Sequence, residues 1–216
     1  VYVVMNMIAI ESSTQICSVS SFMKGQLVNI FETDQPMSHS KNLPIMLKAA
    51  IKDFNSIKDI DSFSISIGPG SFTSLRISMS LVKGIAFSLN ANIVPVPTLE
   101  SINYQINDND LHYVILDCYK DKCFVQEFKG ASTYSEPYIE SIKNLSKIES
   151  GSFYGYSEKV KNDEFEINII KPSSILIGNF AINNIDRLLD SSSKDIKPIY
   201  LSEHEYVKIN DSKSRK

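Results

Sequence analysis

Two carboxylates stand where strands of an α/β fold would end, and they are the first candidates for chemistry in this chain. Glu11 closes the apolar run 7–10, and Asp117 closes the apolar run 113–116. In a duplicated α/β fold such strand ends face the crevice between the halves, where ligands and metals usually bind. A carboxylate pair there could hold Mg²⁺ beside a nucleotide phosphate. The alternative, which we favour, is that each carboxylate accepts hydrogen bonds from a following loop.

A glycine-rich segment, residues 68–76 (GPGSFTSLR), joins the end of a predicted strand to the start of a predicted helix. Free N–H groups and the helix dipole at such a start can hold an anion. The candidates for a nucleotide or anion site are therefore Glu11, Gly68, Gly70, Ser71, Thr73 and Asp117. The segment matches neither the P-loop nor the dinucleotide-binding fingerprint. A tight turn with Ser71 as the helix cap explains the same residues, and on spacing alone we favour the turn.

Local motifs for metal and nucleophilic catalysis are missing from the sequence, whereas its many serines leave a Ser-His-Asp arrangement open. The three histidines form no His-x-x-x-His pair, which excludes a helical metal site of that type. Cys118 and Cys123 have no matching second pair, so they are expected to be buried thiols rather than zinc ligands. No Gly-x-Ser-x-Gly nucleophile elbow occurs. We expect no catalytic residue and no metal site in this chain.

The helix predicted at 71–89 is apolar around most of its circumference. Between Thr73 and Leu89 only Arg76 and Lys83 are charged. A helix that is apolar all round is buried on more than one side. Ser80, Gly84 and Ser88 also form a line of small residues along which another helix can approach. One side must cover a sheet, and the other needs the first helix, a second protein chain, or both.

Strands and helices alternate along the chain, which predicts an α/β architecture. In the first half we predict strands at 7–10, 16–22, 26–31, 63–67 and 93–96, and helices at 38–54, 71–89 and 98–104. Ser38 and Thr98 are the expected caps of two of these helices, and Pro44 should kink the first helix or mark its start. In the second half we predict strands at 113–116, 123–128, 133–139 and 152–156, and helices at 140–147 and 173–189. The polar stretch 107–110 divides the chain into an N-terminal domain, 1–106, and a smaller C-terminal domain, 107–216.

Composition narrows the class of protein. The chain is 43% hydrophobic and 22% charged, as in ordinary globular proteins, and has no apolar segment long enough to span a membrane. Its net charge is -3 and its only arginines are Arg76, Arg187 and Arg215, so no footprint for nucleic acid is visible. Three cysteines do not form a disulfide framework, which indicates a reducing compartment, the cytoplasm. The first residue is valine, and we expect the natural start at Met5 or Met7.

Several motifs of the first half occur in a recognisable order: residues 8–14 (IAIESST), 39–44 (HSKNLP), 68–77 (GPGSFTSLRI), 83–87 (KGIAF) and 96–101 (VPTLES). They resemble the TsaB (YeaZ) family over roughly the first 105 residues. In the second half the resemblance thins to residues 116–117 and 198–200. The chain departs from the family pattern at Glu11, where Asp is usual, and at Ser74, where Gly is usual. These departures weaken the case for a working nucleotide site.

The resemblance implies a duplicated actin-like (ASKHA, ribonuclease H-like) fold of two small domains with mixed sheets flanked by helices. It also implies pairing with TsaD, the catalytic subunit, and a ternary complex with TsaE. That complex transfers threonylcarbamoyl to the tRNA adenosine beside the anticodon. The chain would be a non-catalytic, activating subunit whose contact with tRNA is indirect or weak. It would hold no cofactor of its own, with ATP or ADP possible at the interface of the complex.

The family's pairing surface implies a partner site on helices 38–54 and 71–89. The expected contact residues are Leu43, Leu47, Ser71, Leu75, Met79, Ser80, Lys83, Gly84, Phe87 and Ser88. Without TsaD, two copies of the chain could pair through the same helices. The alternative function is an independent ASKHA-fold ATPase or small-molecule kinase that uses Glu11, Asp117 and the loop 68–73.

Overall fold

The computed structural model describes residues 5–35, 38–161, 164–191 and 196–201, which form two sheets flanked by helices. The first sheet contains β1 (Met7–Glu11), β2 (Cys17–Met23), β3 (Gln26–Thr33), β4 (Ser62–Gly68) and β5 (Asn92–Pro97). The second contains β6 (Leu111–Asp117), β7 (Lys122–Lys129), β8 (Ser132–Thr133), β9 (Tyr138–Ser141), β10 (Ser152–Tyr156) and β11 (Ile167–Ile169). The helices are α1 (His39–Ile51), α2 (Phe72–Leu89), α3 (Thr98–Asn103), α4 (Ile142–Leu145), α5 (Ser174–Asn183) and α6 (Ile185–Ser191). No helix within these ranges is both long and apolar enough to cross a membrane.

The two sheets have the same topology. In the first, the order is β3-β2-β1-β4-β5, with β2 antiparallel to β1 and β3, β4 parallel to β1, and β5 parallel to β4. In the second, β6 takes the place of β1: β7 is antiparallel to it, β10 is parallel to it, and β11 is parallel to β10. Strands β8 and β9 both pair with β7, where β3 pairs with β2 in the first sheet. The predicted duplicated actin-like fold is confirmed.

The first sheet is covered on both faces. Helices α1 and α2 lie on one face, and their buried side chains share a core with Ile8, Ile10 and Phe63. Helices α5 and α6 lie against the other face, where Ile177 and Phe180 pack with β-strand residues of the same sheet. Because both faces are buried, β1 reads as one continuous apolar run rather than an alternating one.

Two helices cross from one half of the chain to the sheet of the other. Helix α3, from the first half, packs on the second sheet through Leu99 and Ile102. Helix α5, from the second half, packs on β1 and β2 of the first sheet. The division between residues 106 and 107 therefore separates the strands of the two sheets. It does not separate the helices, because α3 and α5 each pack on the sheet formed by the other half of the chain.

The strands of the first half were predicted well, and the differences lie at helix starts. Helix α1 begins at His39, five residues ahead of Pro44. Ser38 is its N-cap residue as predicted, but its hydroxyl donates to the Gln35 carbonyl and makes no capping hydrogen bond. Helix α3 begins at Thr98 itself, so the prediction of Thr98 as its cap was wrong. The prediction of Ser71 as the cap of α2 is confirmed, since its hydroxyl accepts from the Ser74 N–H.

The second half differs more. The strand predicted at 133–139 is two short strands, β8 and β9, and the helix predicted at 140–147 is only the single turn α4. The helix predicted at 173–189 breaks at Asn184, whose side-chain amide donates to the Phe180 carbonyl and so occupies the end of α5. Strand β11 was not predicted.

Residues 196–201, which we call the strap, run along one side of α2. The Lys83 ammonium donates to the Ile196 carbonyl at 2.7 Å, and the Ile199 N–H donates to the Ile67 carbonyl at 2.7 Å. Further along, the Arg76 Nε donates to the Tyr200 hydroxyl at 2.7 Å, and the Phe72 and Tyr200 rings contact each other at a tilt of 44°, with centroids 4.7 Å apart. The two charged residues of α2 are thus used to hold the strap.

Candidate functional site

A crevice of about 1050 Å³ opens between the two sheets at the carboxyl ends of β1, β4, β6 and β10. The loops after those strands line it, together with the start of α1 and the end of the strap. Four of the six predicted nucleotide or anion residues line this crevice: Gly70, Ser71, Thr73 and Asp117. Glu11 and Gly68 are not among its lining residues.

Glu11 lies beneath the crevice and is fully buried. Its Oε1 accepts a hydrogen bond from the Ser13 N–H at 2.5 Å, and its Oε2 has no partner among the described residues. Burial raises the pKa of Glu11 to about 7, because the charged form loses its hydration, although hydrogen bonds from Ser13 oppose the shift. A carboxyl group that is half protonated near neutral pH and closed off from the crevice is a poor metal ligand.

Asp117 reaches the crevice, but both of its oxygens are engaged. Oδ1 accepts from the Ser157 hydroxyl at 2.5 Å and Oδ2 accepts from the Glu158 N–H at 3.0 Å. The carboxylate therefore fixes the loop that follows β10. Each of the two candidate carboxylates accepts hydrogen bonds from a loop, as in the alternative that we favoured from the sequence.

The glycine-rich segment owes its composition to a close approach of two loops. The Ser71 N–H donates to the Ser13 carbonyl at 2.6 Å, and a Cβ on Gly70 would lie only 2.4 Å from the same oxygen. Gly68 has φ +99°, which disfavours any residue with a side chain. The tight turn explains these glycines without a ligand.

Contacts across the crevice were not foreseen from the sequence. The Gln15 amide, after β1, donates to the Glu158 carboxylate, after β10, and the Tyr156 hydroxyl donates to the same oxygen at 2.7 Å. The Lys159 ammonium is held by the Cys118 carbonyl. No local pattern marks these residues, because they meet only when the two sheets are in place.

His39 is the other residue of the crevice that spacing did not single out. Its ring is 4% exposed, and its Nε2 has no hydrogen-bond partner among the described residues. Burial lowers the pKa of His39, while hydrogen bonding to the backbone of Ile16 and Thr14 opposes the shift. The residues that the structure describes contain no group of three or more His, Cys, Asp or Glu side chains that could hold a metal ion.

The predicted partner site divides into buried and exposed residues. Leu43, Leu47, Leu75 and Met79 are at most 5% exposed and belong to the core of the first sheet, so they cannot form a contact surface. Their assignment to that surface is corrected here: the apolar circumference of α2 is largely covered by α1 and the sheet. Lys83 is half-buried under the strap.

A stripe of α2 nevertheless remains free. Ser80, Gly84 and Ser88 are exposed, and the Phe87 side chain between them is 90% exposed. On the neighbouring α1, Ile45 is 61% exposed. The small residues allow another helix to approach closely, and the exposed aromatic ring beside them is a candidate anchor for a protein partner.

Comparison with known proteins decides the family. A TsaB protein of Buchnera aphidicola (subsp. Acyrthosiphon pisum), described as a tRNA threonylcarbamoyladenosine biosynthesis protein, is 30% identical over 202 residues, covering 90% of this chain and 87% of the relative. The chain belongs to the TsaB family. The TsaB protein of Haemophilus influenzae is 26% identical over 98 residues, which cover 45% of this chain and only 42% of that relative.

Two further comparisons concern a second family of the same pathway and the fold. Residues 34–182 match the family model described as TsaD: tRNA N6-adenosine threonylcarbamoyltransferase. The structure of YeaZ from Pseudomonas aeruginosa superimposes with a TM-score of 0.74 at 18% identity, covering 91% of this chain and all of that one. At this identity the structural match speaks for the fold alone.

The buried carboxyl group gives this TsaB chain a defined pH dependence. The pKa of Glu11 is about 7 in the folded chain and about 4.5 when exposed, so the folded state binds the extra proton between these values and loses stability as pH rises through them. We predict that Glu11→Gln gains up to about 3 kcal/mol in unfolding free energy, relative to the wild type, between pH 4.5 and pH 8. Urea unfolding at pH 4.5 and pH 8 checks this. An equal difference at both pH values would contradict it.

Replacing Gly70, in the loop before α2, or Gly84, inside α2, by alanine should change the free energy of unfolding in opposite directions. Gly70→Ala places a methyl group against the Ser13 carbonyl and should cost about 2 kcal/mol or more in unfolding free energy. Gly84→Ala meets nothing within 4 Å and lies inside a helix, so it should gain roughly 0.5–1 kcal/mol. Urea unfolding of both variants measures the contrast. Similar changes in both would refute the close approach of the two loops.

Proposed function

We propose that this chain is the non-catalytic subunit that pairs with TsaD and activates it for adding threonylcarbamoyl to the tRNA adenosine next to the anticodon. The observation that carries this proposal is the exposed stripe of α2, with Phe87 at 90% exposure among Ser80, Gly84 and Ser88. The names of the TsaB relatives, which place those proteins in threonylcarbamoyladenosine biosynthesis, support the pathway.

The stripe has the properties of a contact for a helix of another protein. Serine and glycine at 80, 84 and 88 keep the helix surface low over two turns, so that a second helix backbone can come close. Phe87 projects beside this low line and would fill a pocket on the partner. A buried aromatic ring at the centre of an interface often contributes about 2 kcal/mol or more to the binding free energy. Phe87 is therefore the expected hot spot of the contact.

The hydrogen bonding of the crevice carboxylates favours a non-catalytic role for this chain in the complex. The Asp117 oxygens are committed to Ser157 and Glu158, and Glu11 is sealed off beneath the crevice. In our proposal TsaD supplies the metal and the chemistry, this chain holds no nucleotide of its own, and any ATP or ADP site lies at the interface of the complex. TsaE joins as a third protein, contact with tRNA is indirect or weak, and the complex works in the cytoplasm.

An independent ATPase or small-molecule kinase is the second candidate. The size of the crevice and the unpartnered Nε2 of His39 at its wall favour it. Such an enzyme needs a carboxylate free to bind Mg²⁺ or to accept a proton from the nucleophile. Both candidate carboxylates would first have to leave the hydrogen bonds described above, so we rank this function second.

Phe87 provides the direct test of pairing. Replacing it with Ser should weaken binding to TsaD of the same organism at least tenfold, about 1.4 kcal/mol, because the ring no longer fills its pocket. The unfolding free energy should change by less than about 0.5 kcal/mol, since the side chain is 90% exposed. Titration calorimetry and urea unfolding measure the two quantities.

The matched control is Tyr134→Ser, which removes an aromatic ring that is 66% exposed in the half of the chain carrying the second sheet. It should leave TsaD binding unchanged.

Gly84→Arg, which fills the low line of α2, should block pairing while the chain stays folded. Wild-type affinity in both Phe87→Ser and Gly84→Arg would rule out this surface.

A further inference from the structure

Helices α1 and α2 form a surface whose charge differs in sign from that of the whole chain. The chain has a net charge of -3, with 25 acidic residues. Neither α1 nor α2 contains a single Asp or Glu, and their charged residues are all basic. Acidic residues are thus confined to the rest of the molecule.

The lysines of α1 lie on one outward stripe. Lys41, Lys48 and Lys52 follow each other at intervals of seven and four residues, which places them within about 40° on the helix circumference. Lys52, the C-cap, keeps helical backbone angles and so continues the stripe. The buried residues of the helix, Leu43 and Leu47, point the opposite way, towards the sheet.

These three lysines are free to meet a partner. All are exposed, and none makes an ion pair with another described residue. Arg76 and Lys83 of α2, by contrast, are held by the strap. Ile45, 61% exposed, lies beside the lysine stripe, about 40° around the helix from Lys41, so the face combines an apolar side chain with basic ones.

The lysine stripe of α1 and Phe87 of α2 are both exposed on the pair of helices that covers one face of the first sheet. Helices α1 and α2 lie side by side on one face of the first sheet and contact each other. We propose that TsaD, where it contacts these helices, places acidic side chains opposite Lys41, Lys48 and Lys52, so that its association is electrostatically steered. This inference rests on the proposed function and adds the charge of the partner's contact surface.

A protein fits this face better than RNA does. The exposed aliphatic side chain of Ile45 beside the lysine stripe offers nothing to a phosphate backbone, whereas it packs well in a pocket on a protein. Charged groups bordering an apolar contact act mainly on the association rate, which they raise and make dependent on salt. A role of these lysines in binding RNA is the alternative that the experiment must exclude.

The test measures association rates of the full chain with TsaD at low and high salt. In one variant Lys41, Lys48 and Lys52 are all replaced by Glu; the control replaces Lys129, Lys143 and Lys147, exposed lysines in the half that carries the second sheet, by Glu. Both variants carry the same net charge. A third variant with Gln at 41, 48 and 52 keeps the helix without introducing acidic groups near its end.

We expect the helix variant with Glu to lower the association rate at low salt by about tenfold or more, and the variant with Gln to lower it less. The control should change the rate by less than about threefold, and salt should slow the wild type more than the helix variant.

Binding of TsaD at unchanged rates in the helix variant would overturn the steering while leaving the proposed function intact. Reduced tRNA binding with unchanged pairing would also overturn it, because the lysines would then serve RNA. Failure of the wild type to bind TsaD at any salt would overturn the proposed function itself.

Discussion

The packing of α5 against the first sheet is the contact on which the rest of this structure depends. Gly178 of α5 lies so close to Phe22 of β2 that a Cβ would come within 2.2 Å of the ring. Beside it, the Ser174 N–H donates to the Ser18 hydroxyl at 2.8 Å, and the hydroxyls of Ser20 and Ser174 pair at 2.5 Å. Each large apolar side chain buried at this contact contributes roughly 1.5–3 kcal/mol.

This contact holds the two sheets together. It also determines which helices keep an exposed side. With α5 on the inner face of the first sheet and α3 on the second sheet, each half completes the core of the other. The crevice is consequently held between the sheets, with Gln15 and Glu158 joined across it. Helices α1 and α2 cover the other face of the first sheet; the strap covers one side of α2, and the stripe with Ser80, Gly84 and Ser88 stays exposed. The crevice carboxylates Glu11 and Asp117 accept hydrogen bonds from loops, and the surface that we propose for partner contact lies on the outward side of α1 and α2.

Local patterns predicted the elements whose environment is simple. The continuous apolar run ending at Glu11, the alternating strand ending at Gly68 and the cap at Ser71 were all readable, because each depends on nearby residues. The exchange of α3 and α5 was not, since periodicity shows that a helix has an apolar face but not which sheet will cover it. For the same reason Leu75 and Met79 were assigned to a partner surface although they lie in the core. Strand β11 has only three residues, too few to show a period, and the break at Asn184 depends on one side chain reaching back to Phe180.

The most direct measurement of the central claim is the amount of threonylcarbamoyladenosine formed on tRNA by TsaD and TsaE, with and without this chain. We predict product only when the chain is present, and undiminished product with its Glu11→Gln and Asp117→Asn variants, because its carboxylates take no part in the chemistry. Full product without the chain, or loss of product in crevice variants that still pair with TsaD, would contradict a non-catalytic, activating subunit.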